Sequence, residues 1–391
     1  MNVCIYPAGQ AGMALYSYKL ANALADLGLG VILFADREYE LDHLPAGFVK
    51  VKTLSKVKVQ DESEHRGAIR VLRILFIHFR NWLQLVSYLK RQPQDIIHIQ
   101  PQLYVLDWLS ILLLSRARAK VVVTVHDPLP HRFFTRLFSW AEILALRVIY
   151  RSADRLIVHT ESGRKQLVAM YSVDDRKVAV IPHGEYGFKQ MSGLMSEKEA
   201  RSELGLREDA QVFLFFGFIR KAKGVDVLLK AFDVLASDFH RACLVIAGGC
   251  IQGESFCEHQ NLVMRMRHRD RVRLFLRYIE YQEIPLFFEA ADVVVLPYLR
   301  FFSQSGVLHL AQGFGKPVIV TDVGGLPEVV RNGQTGLVIP PGNVQALVEA
   351  MRYLIEHKEK RRGFGSAGYE LARREFSWAK IAGETVRRVY T

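Results

Sequence analysis

The apolar positions of this chain fall into short blocks separated by longer amphipathic stretches. In the first half the blocks are VCIYP (3–7), GVILFA (30–35), IIHIQ (96–100), KVVVTVH (120–126), RLIVHT (155–160) and VAVIPHG (178–184). Most are apolar on both faces, as the strands of a parallel sheet covered by helices on each side must be. Helical patterns lie between them, such as ALYSYKLANALADLG, with Gly28 placed to end that helix. The pattern then restarts with VFLFFG (212–217), CLVIAGG (243–249), VRLFL (272–276), VVVLP (293–297), PVIVT (317–321) and LVIP (337–340). Alternating strands and helices predict doubly wound α/β units, and two such series predict two Rossmann-like domains in tandem. The seam is expected near the polar stretch Phe188–Ser196, and Val57–Glu64 reads as a polar loop. Two such domains facing each other create a cleft at the carboxyl ends of both sheets, where open α/β folds bind ligands.

Composition narrows the partners. The 391 residues are 50% hydrophobic and 24% charged, which excludes a disordered or collagen-like chain. The net charge of +12 favours anionic partners. It is uneven: residues 1–190 hold 25 Lys/Arg and 17 Asp/Glu, the remainder 27 and 23. No helix-turn-helix or base-stacking platform accompanies it, so nucleic acid is not an expected partner. Cys4, Cys243, Cys250 and Cys257 form neither a CxxC pair nor a disulfide framework, so reduced, mostly buried thiols and no zinc are expected. Met1–Tyr18 lacks the basic start of a signal peptide and is broken by Pro7, Gly9, Gln10 and Gly12. No segment reaches the ~18 apolar residues of a membrane span. A cytoplasmic protein that touches a membrane without spanning it is the expectation.

Candidate chemistry lies just after the strands. PAGQAGMALY (7–16) places Gly9 and Gly12 where backbone amides approach an anion at a helix N-terminus, in G-x-x-G spacing rather than the dinucleotide fingerprint. His126-Asp127-Pro128 ends the fourth block, and His183-Gly184 the sixth. Arg220, Lys221 and Lys223 cluster after a strand and before Gly224, where cations oppose a helix dipole unless an anion lies between them. Ser303-Gln304-Ser305-Gly306-Val307 is expected to start a helix with a Ser cap, leaving N–H groups of Ser305, Gly306 and Val307 as an anion site. Gly324-Gly325 then follows a strand and precedes Glu328.

FFGFIRKAKG, LVIAGG, ADVVVLP, GKPVIVTDVGGLPE and NGQTGLVIPPGN, in this order from Phe215 to Gly342, resemble the retaining nucleotide-sugar glycosyltransferases of family 4. The resemblance covers nearly the whole chain. It implies the GT-B fold: an acceptor-side domain at 1–190, a nucleotide-sugar domain at 191–372, and FSWAKIAGETVRRVY (376–390) within a closing segment, 373–391, that returns to the first domain. It implies that Arg220 and Lys223 clamp the donor diphosphate and that amides around Ser305, Gly306 and Val307 hold its distal phosphate. Gly12 matches the first-domain glycine near the donor, His126 the histidine near the sugar, and Tyr278 the place where the backbone meets the base. Glu328 joins the donor side, Gly9 and Asp127 the acceptor side. Many members carry two glutamates eight positions apart; Phe302 and Leu310 stand there instead, as in the branch with a Gln-Ser-Gly-Val turn. Phe218 stands where an Arg is common.

The implied activity is transfer of a sugar from a nucleoside-diphosphate sugar to a hydroxyl of a glycan or lipid-linked glycan, without metal or cofactor. A nucleotide-sugar epimerase and a non-catalytic subunit of the same fold are the alternatives. RVLRILFIHFRNWLQLVSYLKR (70–91) and HRFFTRLFSWAEILALRVIYR (131–151) mix Arg with large apolar residues, the composition of segments that lie on an anionic membrane surface.

Overall fold

The computed structural model describes residues 1–7, 12–55, 68–100, 111, 114, 118–128, 139–186, 195–249 and 256–391. The loop expected at Val57–Glu64, Gly9, and all but two residues of the expected seam lie outside them. The chain divides into two compact units, Met1–Pro182 with Trp378–Thr391, and His183–Ser377.

The first unit is built on seven parallel strands: β1 (Asn2–Tyr6), β2 (Gly30–Asp36), β3 (Val49–Leu54), β4 (Ile96–Ile99), β5 (Lys120–Thr124), β6 (Arg155–Val158) and β7 (Val178–Val180). Their order is β3-β2-β1-β4-β5-β6-β7. The centre of the sheet is closed to water; Val3, Cys4, Ile5, Val121, Val122 and Val123 are fully buried. The Cys4 thiol is pushed up to about 12 by burial and is chemically inert; Cys243 is buried as well. The helix Gly12–Asp26 ends as expected, with Gly28 at φ +81°. Strand β3 was not legible in the sequence. Its Val-Lys-Val-Lys alternation lies on the sheet edge, half exposed, where lysines discourage further pairing.

The second unit has six parallel strands: β8 (Gln211–Phe216), β9 (Ala242–Ala247), β10 (Val272–Phe275), β11 (Val293–Leu296), β12 (Val318–Thr321) and β13 (Gly336–Ile339). Their order is β10-β9-β8-β11-β12-β13. Each sheet thus reverses direction of travel once, between β1 and β4 and between β8 and β11. Those two reversals mark where an open sheet leaves a crevice at its carboxyl end. At the opposite end of β11, Asp292 accepts from Arg201 at 2.8 Å, from Arg361 at 3.2 Å and from the Val212 N–H at 2.9 Å. The charge there is internally matched.

Candidate active site

In the second unit Arg220, Lys223 and the 303–307 turn come together at the carboxyl ends of β8 and β11. Strand β8 runs into Gly217, where an added Cβ would lie 3.2 Å from Val307 Cγ2, so the backbone passes close under the start of the helix Gly306–Gly313. The chain continues to Arg220 and a single tight turn, Lys221–Lys223, before the helix Val225–Asp238. Lys223 is buried, with Nζ 3.4 Å from the ring centre of Tyr298 and 4.3 Å from that of Phe301. Two aromatic faces therefore hold the ammonium in place by attraction to their π systems. Arg220 Nε is buried and has no hydrogen-bond partner among the described residues. Arg220 as a whole is half-buried, so the rest of its guanidinium is not enclosed.

The turn 303–307 differs from expectation in one respect. Ser305 occupies the N-cap position, but no side chain caps the helix. The Ser305 hydroxyl lies 3.1 Å from Tyr298 Oη instead. Tyr298 is fully buried, its phenol pushed up to about 12 by burial against the lowering effects of Ser305 and Arg220. Drawing Ser305 toward Tyr298 removes the ordinary internal cap and leaves the helix start to an external acceptor. Gln304 fixes the turn from behind: its Oε1 accepts from the His183 N–H at 2.7 Å and from His309 Nε2 at 3.2 Å. His183 Nδ1 donates to the Gly184 carbonyl, so its Nε2 accepts from Tyr186 Oη at 3.1 Å. His183 thus supports the turn rather than standing alone after a strand. Glu328 is exposed in the short helix Leu326–Val329, after β12. Tyr278 is partly buried beside the end of β9, with its N–H 3.5 Å from where a Gly249 Cβ would stand.

In the first unit, Gly12 is exposed at the start of its helix, and His126 and Asp127 are partly buried after β5. His126 belongs to a buried histidine cluster that the sequence did not reveal. His98 in β4 contacts Tyr390 Oη at 2.5 Å through Nδ1 and Thr124 Oγ1 at 2.6 Å through Nε2. Burial, then the proximity of His159, lowers its pKa to about 3. His159 Nε2 lies 3.1 Å from His126 Nδ1, and Tyr16 packs edge-on against His126 at 4.8 Å between ring centres. Trp378, from the C-terminal segment, closes over Tyr16 at 5.1 Å. His98 and Tyr390 alone lie 292 positions apart along the chain, and no local spacing relates the members of the cluster.

The chain thus holds two doubly wound units, one of them with cations and a helix start without a side-chain cap beside its sheet reversal. Residues 196–371 match the family model "Glycosyl transferases group 1" and residues 11–184 match "Glycosyltransferase Family 4". The two matches together take in most of the chain, which belongs to this glycosyltransferase family and has its GT-B fold. Among curated relatives, the D-inositol 3-phosphate glycosyltransferase of Corynebacterium aurimucosum is 31% identical over 59% of this chain; the match spans about half, 55%, of that protein's length. D-inositol 3-phosphate glycosyltransferase 2 of Catenulispora acidiphila is 26% identical over 96% of this chain and 88% of its own. The Anabaena protein HepE, solved in complex with UDP, shares the fold with a TM-score of 0.71 at 19% identity, covering 99% of each chain.

Proposed function

We propose that this chain is a retaining glycosyltransferase that moves a sugar from a nucleoside-diphosphate sugar to a hydroxyl of a glycan or lipid-linked glycan, in cell-surface polysaccharide or glycolipid synthesis. The observation that carries the reading is the pairing of Arg220 Nε, buried and without a partner among the described residues, with a helix start at Gly306 that no side chain caps, both at the β8/β11 reversal. An anion with several oxygens satisfies both. UDP in the crystal structure of HepE supports a nucleoside diphosphate as that anion.

On this reading the bond between the sugar's anomeric carbon and the diphosphate oxygen breaks as the bond to the acceptor oxygen forms. The charge developing on the diphosphate is met by Arg220, Lys223 and the amides of the helix start. The departing diphosphate takes the acceptor's proton from the face that the acceptor enters, so the anomeric configuration is kept. Cations and a helix dipole supply the charge, and no divalent metal is needed. Transfer measured with excess chelator is expected to run at its full rate and to yield the donor's anomeric configuration by NMR of the product. Activity lost to chelator and restored by magnesium or manganese would overturn the metal-free mechanism; an inverted product would overturn retention.

A lipid-linked acceptor is supported by the helix Ala68–Arg91. Phe76, Phe79 and Leu83 are 65%, 61% and 52% exposed at spacings of three and four, which share one helix face. Arg73 and Arg80 are exposed on the same helix. In the second segment, Arg132 and Arg136 lie outside the described residues, and Arg147 is engaged internally, donating to the Tyr171 carbonyl and to Ser172 Oγ. The first helix therefore carries the docking proposal. Each basic residue at an anionic surface contributes about 1 kcal/mol. The double variant R73Q/R80Q is expected to bind anionic vesicles roughly 10- to 30-fold more weakly in flotation, with neutral vesicles binding poorly throughout. Unchanged flotation by a well-folded variant would remove this surface.

A further inference from the structure

The geometry points to His159 as a positioning residue that locks His126 in one tautomer, presenting His126 Nε2 as a hydrogen-bond acceptor for a ligand hydroxyl. The assignment follows by elimination. The Ile181 carbonyl, 2.9 Å from His159 Nδ1, only accepts, so His159 Nδ1 carries the proton. Burial lowers the pKa of His159 to about 4, so the ring is neutral near pH 7 and its Nε2 bears a lone pair. The partner of that lone pair, His126 Nδ1 at 3.1 Å, is therefore the donor. Burial, followed by the proximity of His159 and His98, lowers the pKa of His126 well below its ordinary value. One proton on a neutral ring is already committed at Nδ1, so Nε2 is left as an acceptor.

That atom is buried and has no hydrogen-bond partner among the described residues. Both nitrogens of the neighbouring His98 are satisfied, by Tyr390 and Thr124, so an open nitrogen is not a general feature of this cluster. An unmade hydrogen bond at a buried acceptor is costly, and its retention points to a ligand that completes it. His126 follows β5 at the carboxyl end of the sheet, the ligand side of a doubly wound fold. A lone pair in that place accepts from O–H and repels phosphate and carboxylate oxygens. Tyr16, with ring centres 4.8 Å from His126 and 5.4 Å from His159, restricts both imidazoles from rotating. Assigning the hydroxyl to a sugar rests on the glycosyltransferase reading; the tautomer does not.

The test is the 15N spectrum of the histidine-labelled full chain. Wild-type His126 is expected to carry its proton on Nδ1. H159F keeps a ring of similar volume but removes the acceptor, and His126 is expected to shift toward the Nε2–H form. H159Q, which offers an acceptor and a donor, is expected to restore the wild-type pattern in part. UDP-, GDP- and ADP-hexoses are then assayed for transfer. With the donor that is turned over, H159F is expected to lower kcat/KM about tenfold, the loss of one hydrogen bond. Affinity for the bare diphosphate is expected to stay unchanged. Wild-type His126 protonated at Nε2, or an H159F spectrum with His126 unaltered, would overturn the proposal. Should H159F fold poorly, the wild-type spectrum still decides. The expected tautomers in a protein that transfers no sugar would leave the positioning standing and sink the glycosyltransferase reading instead.

Discussion

Replacing Lys223 or Arg220 by alanine is expected to weaken nucleoside-diphosphate binding by roughly 10- to 100-fold, the loss of one charge-assisted hydrogen bond of ~1.5–3 kcal/mol. The two side chains reach the same place by different means. Lys223 is the last residue of the tight turn Lys221–Lys223 and is anchored over Tyr298 and Phe301, so its ammonium is positioned before any ligand arrives. Arg220 Nε is buried without a hydrogen-bond partner among the described residues, and on the proposed reading it gains one when an anion enters. The two variants therefore differ in stability. Lys223→Ala also loses its contacts with the two rings and lowers the melting temperature of the free protein. Arg220→Ala removes an unmatched buried donor and leaves that temperature nearly unchanged. Calorimetric titration with UDP, GDP and ADP gives the affinities, and thermal melts separate binding from folding. Unchanged affinity for a diphosphate that the wild type binds, in both variants, would remove the phosphate clamp.

Gly224→Ala is expected to lower stability by about 2–5 kcal/mol, combining ~1–2 for a left-handed backbone with ~1–3 for overpacking. Gly224 has φ +67°, and an added Cβ would lie 2.1 Å from the Pro297 carbonyl oxygen. Pro297 follows β11 directly and leads to Tyr298, so neither backbone yields without moving the Lys223 cradle. Gly205→Ala is the control: φ is +63°, and nothing stands within 4 Å of the added carbon. It carries only the conformational cost of about 1–2 kcal/mol. Melting temperatures of the two variants isolate the clash. Equal losses would mean that the Gly224–Pro297 approach is not tight, and the geometry of the Lys223 turn would need revision.

The same contrast between local and distant causes explains what the chain disclosed before its structure was known. Twelve of the thirteen described strands were legible because a strand that is largely covered must be mostly apolar, a property of consecutive residues. Strand β3 was not, because an edge strand of alternating Val and Lys satisfies its lysines in water and resembles a loop. Arg220, Lys223 and the 303–307 turn were legible as candidates because each follows a strand, and open α/β folds bind ligands at the carboxyl ends of their strands.

The supports of the site were decided by tertiary structure. Nothing near Ser305 in the sequence announces that Tyr298 takes its hydroxyl from the cap position; that depends on how β11 returns over the helix start. Gln304 read as part of a turn, and only the fold brings His183 and His309 to its one carbonyl oxygen. His126 was visible as a histidine after a strand, yet its tautomer is set by His159, 33 residues away, and by the carbonyl of Ile181. The sequence by itself determined the architecture, because burial and periodicity act over a few neighbouring residues. Which hydrogen bonds each of these side chains makes was decided only by the tertiary structure, because hydrogen bonds are directional and depend on partners that the chain order does not bring together.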